Sequence, residues 1–316
     1  MRILVTGGCG FIGSHLIDQL IEEGHQVLNI DCLTYAGFAK NTEHHTDNGD
    51  YDFVKLDLCI KKRTALAYVV RGFDPEIVFH LAAETHVDNS IKIPTIFVDT
   101  NVYGTHHMLM ACTPLKNLKK FIYISTDEVY GSTLTEPFTE TSPIKPNSPY
   151  SASKASGDLL VRSWYKTYNF PGIITRCSNN YGPRQHPEKL IPKAIRNFLA
   201  YEVMPIYGTG KNVRDWIHVK DHCAALIKVM EAGEIGEVYN IGAGCEMTNY
   251  DLVTKINDRI PTSIIKHVED RAGHDFRYAI DSFKIRKELG WAPKYDFEVG
   301  LEETIDWYTK HQDWWS

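Results

Sequence analysis

A chain of 316 residues, 43% of them hydrophobic and 23% charged, has apolar material for a sizeable core in one large domain or two modest ones. Its formal net charge is −6 with acids and bases interspersed. That excludes the basic face of a general nucleic-acid binder, while backbone amides remain able to hold an anionic ligand locally. Seven cysteines without a CxxC pair argue against a zinc cluster or a disulfide framework and fit a reducing compartment. Met1 leads straight into the apolar run Arg2 to Thr6, so no signal peptide is expected. No apolar run reaches the ~20 residues of a membrane span, and a cytoplasmic location without membrane partners is expected.

The first strand, Ile3-Leu4-Val5, runs into Thr6-Gly7-Gly8-Cys9-Gly10-Phe11-Ile12-Gly13 and then a helical pattern from about Ile12 to Glu23. Gly7, Gly10 and Gly13 allow a tight turn and close approach of backbone to a pyrophosphate, which the helix N-terminus would receive with free N–H groups. A second strand, Val27 to Ile30, ends in Asp31, where a carboxylate would bond a ribose 2′-hydroxyl and repel a 2′-phosphate. NAD is therefore expected rather than NADP. Asp57, after the third strand Phe53 to Leu56, either holds the adenine edge or is a solvated strand-end acid.

Further strands follow at Ile77 to Leu81, Phe121 to Ile124 and Gly172 to Thr175, each separated by a helical pattern. Alternation of this kind predicts an α/β fold, a Rossmann-like doubly wound parallel sheet covered on both faces. After about Asn179 the pattern changes, with helices near 188–201, 219–231, 249–260 and 298–310 between Pro- and Gly-containing loops. Residues 1–179 are expected to bind the cofactor, and 180–316 to form mainly a smaller C-terminal substrate-binding lobe, with room for the chain to cross back between them. The lobe would close the crevice outside the carboxyl ends of the strands.

Two constellations carry chemistry. Tyr150 and Lys154 are spaced to share a helical face, and an ammonium beside a phenol favours the phenolate. Tyr150 could then take a hydroxyl proton as hydride leaves the same carbon. Thr126-Asp127-Glu128 closes the fifth strand, where the sheet would bind substrate. Paired acids in different environments serve elimination of water, one removing a proton and one protonating the departing oxygen. Thr, Asp and Glu in that order equally begin a helix, and the residues alone leave both readings open.

With these stretches in order, the chain resembles the extended short-chain dehydrogenase/reductases and, within them, the dTDP-glucose 4,6-dehydratases. The matching stretches are TGGCGFIGSH from Thr6, DCLTYAG from Asp31, LAAETHVDNSI from Leu81 and STDEVYG from Ser125. YSASK from Tyr150, NNYGPRQHPEKLIP from Asn179, GTGKNVRDWIHVKDH from Gly208 and GHDFRYAID from Gly273 complete them. The resemblance implies Tyr150 as oxidising base, Lys154 on the nicotinamide ribose, Thr126 on the sugar 4-oxygen, Asp127 as general acid and Glu128 as general base. It implies cofactor contacts from Phe11, Ile12, Asp31, Cys32, Leu33, Thr34, Asp57, Leu58, Leu81, Ala82, Ala83, Thr85, Thr100 and Asn180. Contacts to a nucleotide-diphosphate sugar would come from Thr85, Thr126, Asn179, Lys189, Leu190, Pro205, Tyr207, Arg214, Asn249, Arg271 and His274. Arg214 and Arg271 suit phosphate through paired guanidinium donors. A homodimer through the helices near 95–112 and 150–168 is also implied, and no metal.

The chain departs from the family pattern at several points. Cys32 stands for a common Lys, Ala36-Gly37-Phe38-Ala39 for a Gly-Asn run, and Ala272 for a usual Pro, while Arg184-Gln185-His186 is unusual beside the substrate loop. The chain is also short between about 259 and 270. These changes leave UDP open as the carrier. A 4-epimerase would share the glycines, Tyr150 and Lys154 without needing the acid pair. A UDP-glucuronate decarboxylase would have Ser at Asp127, and a non-catalytic NAD sensor would lack the Tyr/Lys pair.

Overall fold

The apolar runs pair into one parallel sheet because most of them are buried on both faces, and the amphipathic segments between them form its covering helices. The computed structural model describes residues 1–59, 63–261 and 264–315. In chain order, β1 (Arg2–Thr6), α1 (Phe11–Glu22), β2 (Gln26–Asp31), β3 (Tyr51–Lys55), α2 (Arg63–Phe73) and β4 (Ile77–His80) build the first half. Two 3₁₀ turns, Ala39–Asn41 and Glu43–His45, punctuate the loop between β2 and β3. Then come α3 (Val87–Lys92), α4 (Pro94–Phe97), a π-helical stretch Val98–Gly104, α5 (Thr105–Cys112), β5 (Lys120–Thr126), α6 (Pro149–Tyr168) and β6 (Gly172–Cys177).

The remaining elements are β7 (Asn179–Tyr181), α7 (Leu190–Leu199), β8 (Met204–Tyr207), β9 (Val213–His218), α8 (Val219–Ala232), β10 (Val238–Ile241) and β11 (Glu246–Thr248). They end with α9 (Asn249–Arg259), β12 (Ile265–Val268), α10 (Phe283–Leu289), α11 (Phe297–Lys310) and α12 (Gln312–Trp315). Among the described residues, no helix is long and apolar enough to cross a membrane.

The main sheet has the order β10-β6-β5-β4-β1-β2-β3, with every neighbouring pair parallel. The chain winds outward from β1 in both directions, so the topological switch lies between β1 and β4, where such sheets take their ligands. Thr6 and His80 end these two strands side by side. His80 is fully buried, with Nδ1 2.7 Å from Thr6 Oγ1 and Nε2 3.0 Å from Thr105 Oγ1, and burial lowers its pKa to about 3. The imidazole is a neutral strut beneath the crevice.

The region near 95–112 is a helix with an internal widening rather than a uniform α-helix. Its π turn sets Asn101 inward, where Oδ1 accepts from Glu84 N at 2.8 Å and Nδ2 donates to Glu84 O at 3.0 Å and Ser153 Oγ at 2.8 Å. One amide thereby joins the loop after β4 to α6.

The second half does not stay in the lobe. Ile217, Val219, Cys223 and Leu226, from the end of β9 and from α8, enter the main core with Ile3, Leu16 and Ile122. β10 pairs with β6, Val238 opposite Ile174. The lobe proper has its own core, including Tyr181, Ile195, Phe198, Trp216, Leu252 and Leu301, and two small sheets, β11-β9-β7 and β12-β8.

Candidate active site

The crevice at the switch point is a cavity of about 710 Å³. Gly7, with φ +72°, turns the chain after β1, and a Cβ there would lie 2.8 Å from Ala82 Cα. A Cβ on Gly13 would lie 2.3 Å from Gly7 O. A side chain at either position would collide with backbone, of Ala82 or of Gly7 itself, and force the turn open. Gly10 caps α1 without a side chain, so the first-turn amides of Phe11, Ile12 and Gly13 face a cavity they help to line. Asp31 Oδ2 accepts from Cys9 N at 3.0 Å and Oδ1 from Leu33 N at 2.8 Å, and burial raises its carboxyl pKa. The carboxylate thus braces the glycine turn as well as bordering the cavity.

Gly10, Cys32, Thr34, Asp57, Leu58, Leu81, Ala82, Ala83, Thr85, Thr100, Tyr150, Lys154 and Asn180 line the same space. Leu33 does not; it stands behind the wall with φ +56° and contributes its N–H to Asp31. The shape and donor set fit a dinucleotide. Glu84, Cys177 and Trp216 also line it, although the sequence assigned them no role.

A second cavity of about 650 Å³ shares Thr85, Glu128, Asn179, Lys189 and Leu190 with the first. Pro205, Tyr207, Arg214, Asn249, Arg271 and His274 complete its expected lining. Lys189 Nζ donates to Thr85 O at 2.8 Å, Tyr207 Oη to Asp88 Oδ2 at 2.9 Å, and Arg214 Nη2 to Asp275 O at 3.0 Å. Tyr278, also unforeseen, lies under Arg214, with the guanidinium carbon 4.2 Å from its ring centroid. Two of the departures meet here: Phe38 stacks on His186 at 5.7 Å and meets Trp314 edge-on at 5.0 Å, and Phe38 and His186 line the cavity. Cys32 lines the first cavity, while Arg184 faces away from both.

Where the cavities meet, β5 ends in Thr126-Asp127-Glu128. The helix-start reading is met. Thr126 Oγ1 accepts from Glu128 N at 3.3 Å and caps the 3₁₀ turn Asp127–Tyr130, and that turn presents both acids to the cavity. Burial pushes the Asp127 carboxyl well above the usual range, with Glu128 adding to the effect. Asp127 Oδ2 is buried without a protein partner. Burial also raises Glu128, but Arg271, Arg214 and Lys189 oppose the shift; Tyr278 Oη lies 3.4 Å from Glu128 Oε2 while donating to Asp275 Oδ2 at 2.7 Å. Asp127 is thus pushed further toward its neutral form than Glu128.

Tyr150 and Lys154 sit on the first turns of α6, whose start is set by Ser148 in a capping box with Ser151, followed by Pro149. Both side chains are buried and line the first cavity. The expected lowering of the phenol by the ammonium is not met within the protein. Burial and the nearby Glu128 push the Tyr150 phenol well up, and burial brings Lys154 down to about 8. Lys154 Nζ donates to Ile124 O at 2.7 Å instead.

A switch-point cavity with a glycine cradle, a strand-end Asp and a buried Tyr/Lys pair defines a Rossmann-fold protein of the extended short-chain dehydrogenase/reductase class. The chain belongs to the GDP-mannose 4,6 dehydratase family, whose sequence model matches residues 4–304. A dTDP-glucose 4,6-dehydratase from Streptomyces niveus is 46% identical across all of this chain and 95% of its own. A dTDP-glucose 4,6-dehydratase from Streptomyces venezuelae, crystallised with NAD, superposes with a TM-score of 0.96 at 43% identity, covering 100% of this chain and 99% of that one. A UDP-glucose 4-epimerase from Thermotoga maritima is more distant, with a TM-score of 0.90 at 32% identity over 99% of this chain and 100% of that one.

Proposed function

We propose that this protein is a hydro-lyase that converts dTDP-glucose to dTDP-4-keto-6-deoxyglucose with NAD as its cofactor. The observation that carries the reading is the acid pair Asp127–Glu128, held in contrasting environments beside Tyr150 and Lys154 where the two cavities join. The glycine turn, Asp31 and the rest of the first cavity would hold NAD, which would supply hydride chemistry between C4 and C6 of the hexose. Tyr150 takes the proton of the 4-hydroxyl, Thr126 holds the 4-oxygen, and Lys154 supplies a cation beside the ribose. With C4 a ketone, the C5 hydrogen becomes acidic because its carbanion is an enolate. Glu128 removes that proton, and Asp127 gives its own to the 6-hydroxyl, which leaves as water. Arg214, Arg271 and Lys189 place three cations along the second cavity for the diphosphate.

In this reading residues 1–179 carry the cofactor and the reacting groups, and 180–316 chiefly the nucleotide-sugar side. An epimerase has no use for the acid pair. The dTDP carrier rests on the named relatives from Streptomyces. Self-association through α6 and the 94–112 helix is part of the proposal, supported by exposed Ile96, Tyr103, Met110 and Leu159 on those elements. Seven free thiols suit a reducing cytoplasm. The test is a turnover panel of dTDP-glucose, UDP-glucose and UDP-N-acetylglucosamine, with product masses measured. Loss of one water, fastest from dTDP-glucose, is expected. An unchanged mass or loss of carbon dioxide would reject the reaction, and a preference for a UDP sugar would reject the carrier.

A further inference from the structure

Away from both cavities, three side chains converge on one point. Asp18, on α1, has a single oxygen, Oδ1, that lies 2.9 Å from His44 Nε2 and 2.8 Å from His45 Nε2. The ligand-capable atoms of the three residues lie within 4.8 Å of one another. Consecutive residues usually point apart, but the 3₁₀ turn Glu43–His45 sets these two rings side by side, with centroids 4.0 Å apart. As hydrogen bonds, the arrangement needs a proton on each Nε2 and crowds both onto one oxygen. A single cation replaces both protons and takes lone pairs from two neutral imidazoles and one carboxylate.

The geometry is close to what a tetrahedral ion requires. Ligands at about 2.0–2.2 Å from zinc stand about 3.3 Å from one another. Each present contact would open by roughly half an ångström, which His44, with 53% of its side chain exposed, is free to allow. Asp18 is also already oriented, as ligating carboxylates are by their outer partners. Arg184 Nη2 binds the opposite oxygen, Oδ2, and also approaches His15 Nδ1 at 2.9 Å. The carboxylate therefore lies between the guanidinium and the position of the ion, which screens the two like charges from each other.

We propose that Asp18, His44 and His45 form a site for one divalent transition-metal cation of the zinc class, with solvent in the fourth position. Its role is to fix the loop between β2 and β3 onto α1. That loop reaches the glycine turn directly: Arg184 Nη1 donates to Asn41 O at 2.9 Å, and Asn41 Nδ2 donates to Cys9 O at 2.9 Å. The ion stiffens the outer support of the cofactor cradle and takes no part in the reaction.

The test uses metal-stripped, NAD-loaded protein titrated with zinc chloride against a chromophoric chelator, and separately with cobalt(II) chloride. One equivalent per chain is expected at micromolar zinc, with the intense visible absorption of four-coordinate cobalt and a rise in Tm on zinc addition. His44→Ala and His45→Ala should each weaken zinc binding by at least about tenfold and remove the Tm rise. His44→Ala should leave turnover unchanged. Absence of binding, or one equivalent held equally well by both variants, as zinc on cysteines would be, overturns the proposal.

Discussion

Replacing Glu128 with glutamine is expected to separate the oxidation step from the elimination. The amide keeps the side chain's size, and the backbone bond to Thr126 is untouched. What it loses is basicity, in a residue whose carboxyl is raised by burial and held back by Arg271, Arg214 and Lys189. Removing that charge also relieves one influence that raises Asp127, but burial is the larger cause there and is unchanged. General base catalysis contributes about 10²–10⁴-fold, or roughly 3–5 kcal/mol of barrier, and turnover should fall by that range. Rapid mixing with dTDP-glucose should show reduced nicotinamide absorbance building up and persisting. In deuterated water, exchange at C5 should become slow. Tyr150→Phe should instead show no reduced nicotinamide, because the first proton cannot leave. Wild-type turnover by Glu128→Gln, or undiminished C5 exchange, would refute the assignment of the base.

Two further outcomes follow from neighbouring geometry. Because Asp31 Oδ2 and Oδ1 brace Cys9 N and Leu33 N, Asp31→Ala would remove both braces and Asp31→Asn one of them, so Asp31→Asn is the smaller change. It should weaken NAD binding by about 1.5–3 kcal/mol, read by calorimetry, and an unchanged affinity would make Asp31 only a brace. His222 is fully buried, donates from Nδ1 to Asn180 Oδ1 at 2.8 Å, and has its pKa lowered to about 3 by burial. Below about pH 6.5 the unfolded chain takes up a proton that the folded imidazole refuses, so stability falls with acidification until about pH 3. His222→Asn keeps the donor and removes the titration. It should flatten the fall in urea-unfolding free energy by about 2 kcal/mol between pH 6.5 and 5, and an unaltered slope would show that other groups set it.

The elements that lay open in the sequence were those whose signal is local. Ile3 to Val5, Val27 to Ile30 and Ile77 to His80 are short, mostly apolar runs next to glycine or acid, and they became the strands that frame the crevice. Tyr150 and Lys154 share a face because helical spacing alone requires it. Local signals could not show that α8 and β10 return to the main sheet, since pairing Val238 with Ile174 depends on tertiary contacts. Nor could they place Tyr278, 150 residues from Glu128 in sequence, against that carboxylate. The phenol of Tyr150 was misread for a similar reason. Spacing locates the ammonium but says nothing of how burial acts on both groups or of the carbonyl of Ile124 that takes Lys154.

The return of β10 to the main sheet has a consequence for how the chain can be made and cut. β6 is buried along its whole length, and one of its edges is covered by a strand that leaves the ribosome some sixty residues later. Until residue 241 emerges, the nascent sheet carries an open apolar margin, and α1 lacks the helix, α8, that packs against it. An N-terminal fragment ending near 180 would therefore lack β10, the edge strand beside β6, and α8. Completion of its sheet waits for a segment encoded beyond the first elements of the lobe, so translation couples the maturation of the two halves.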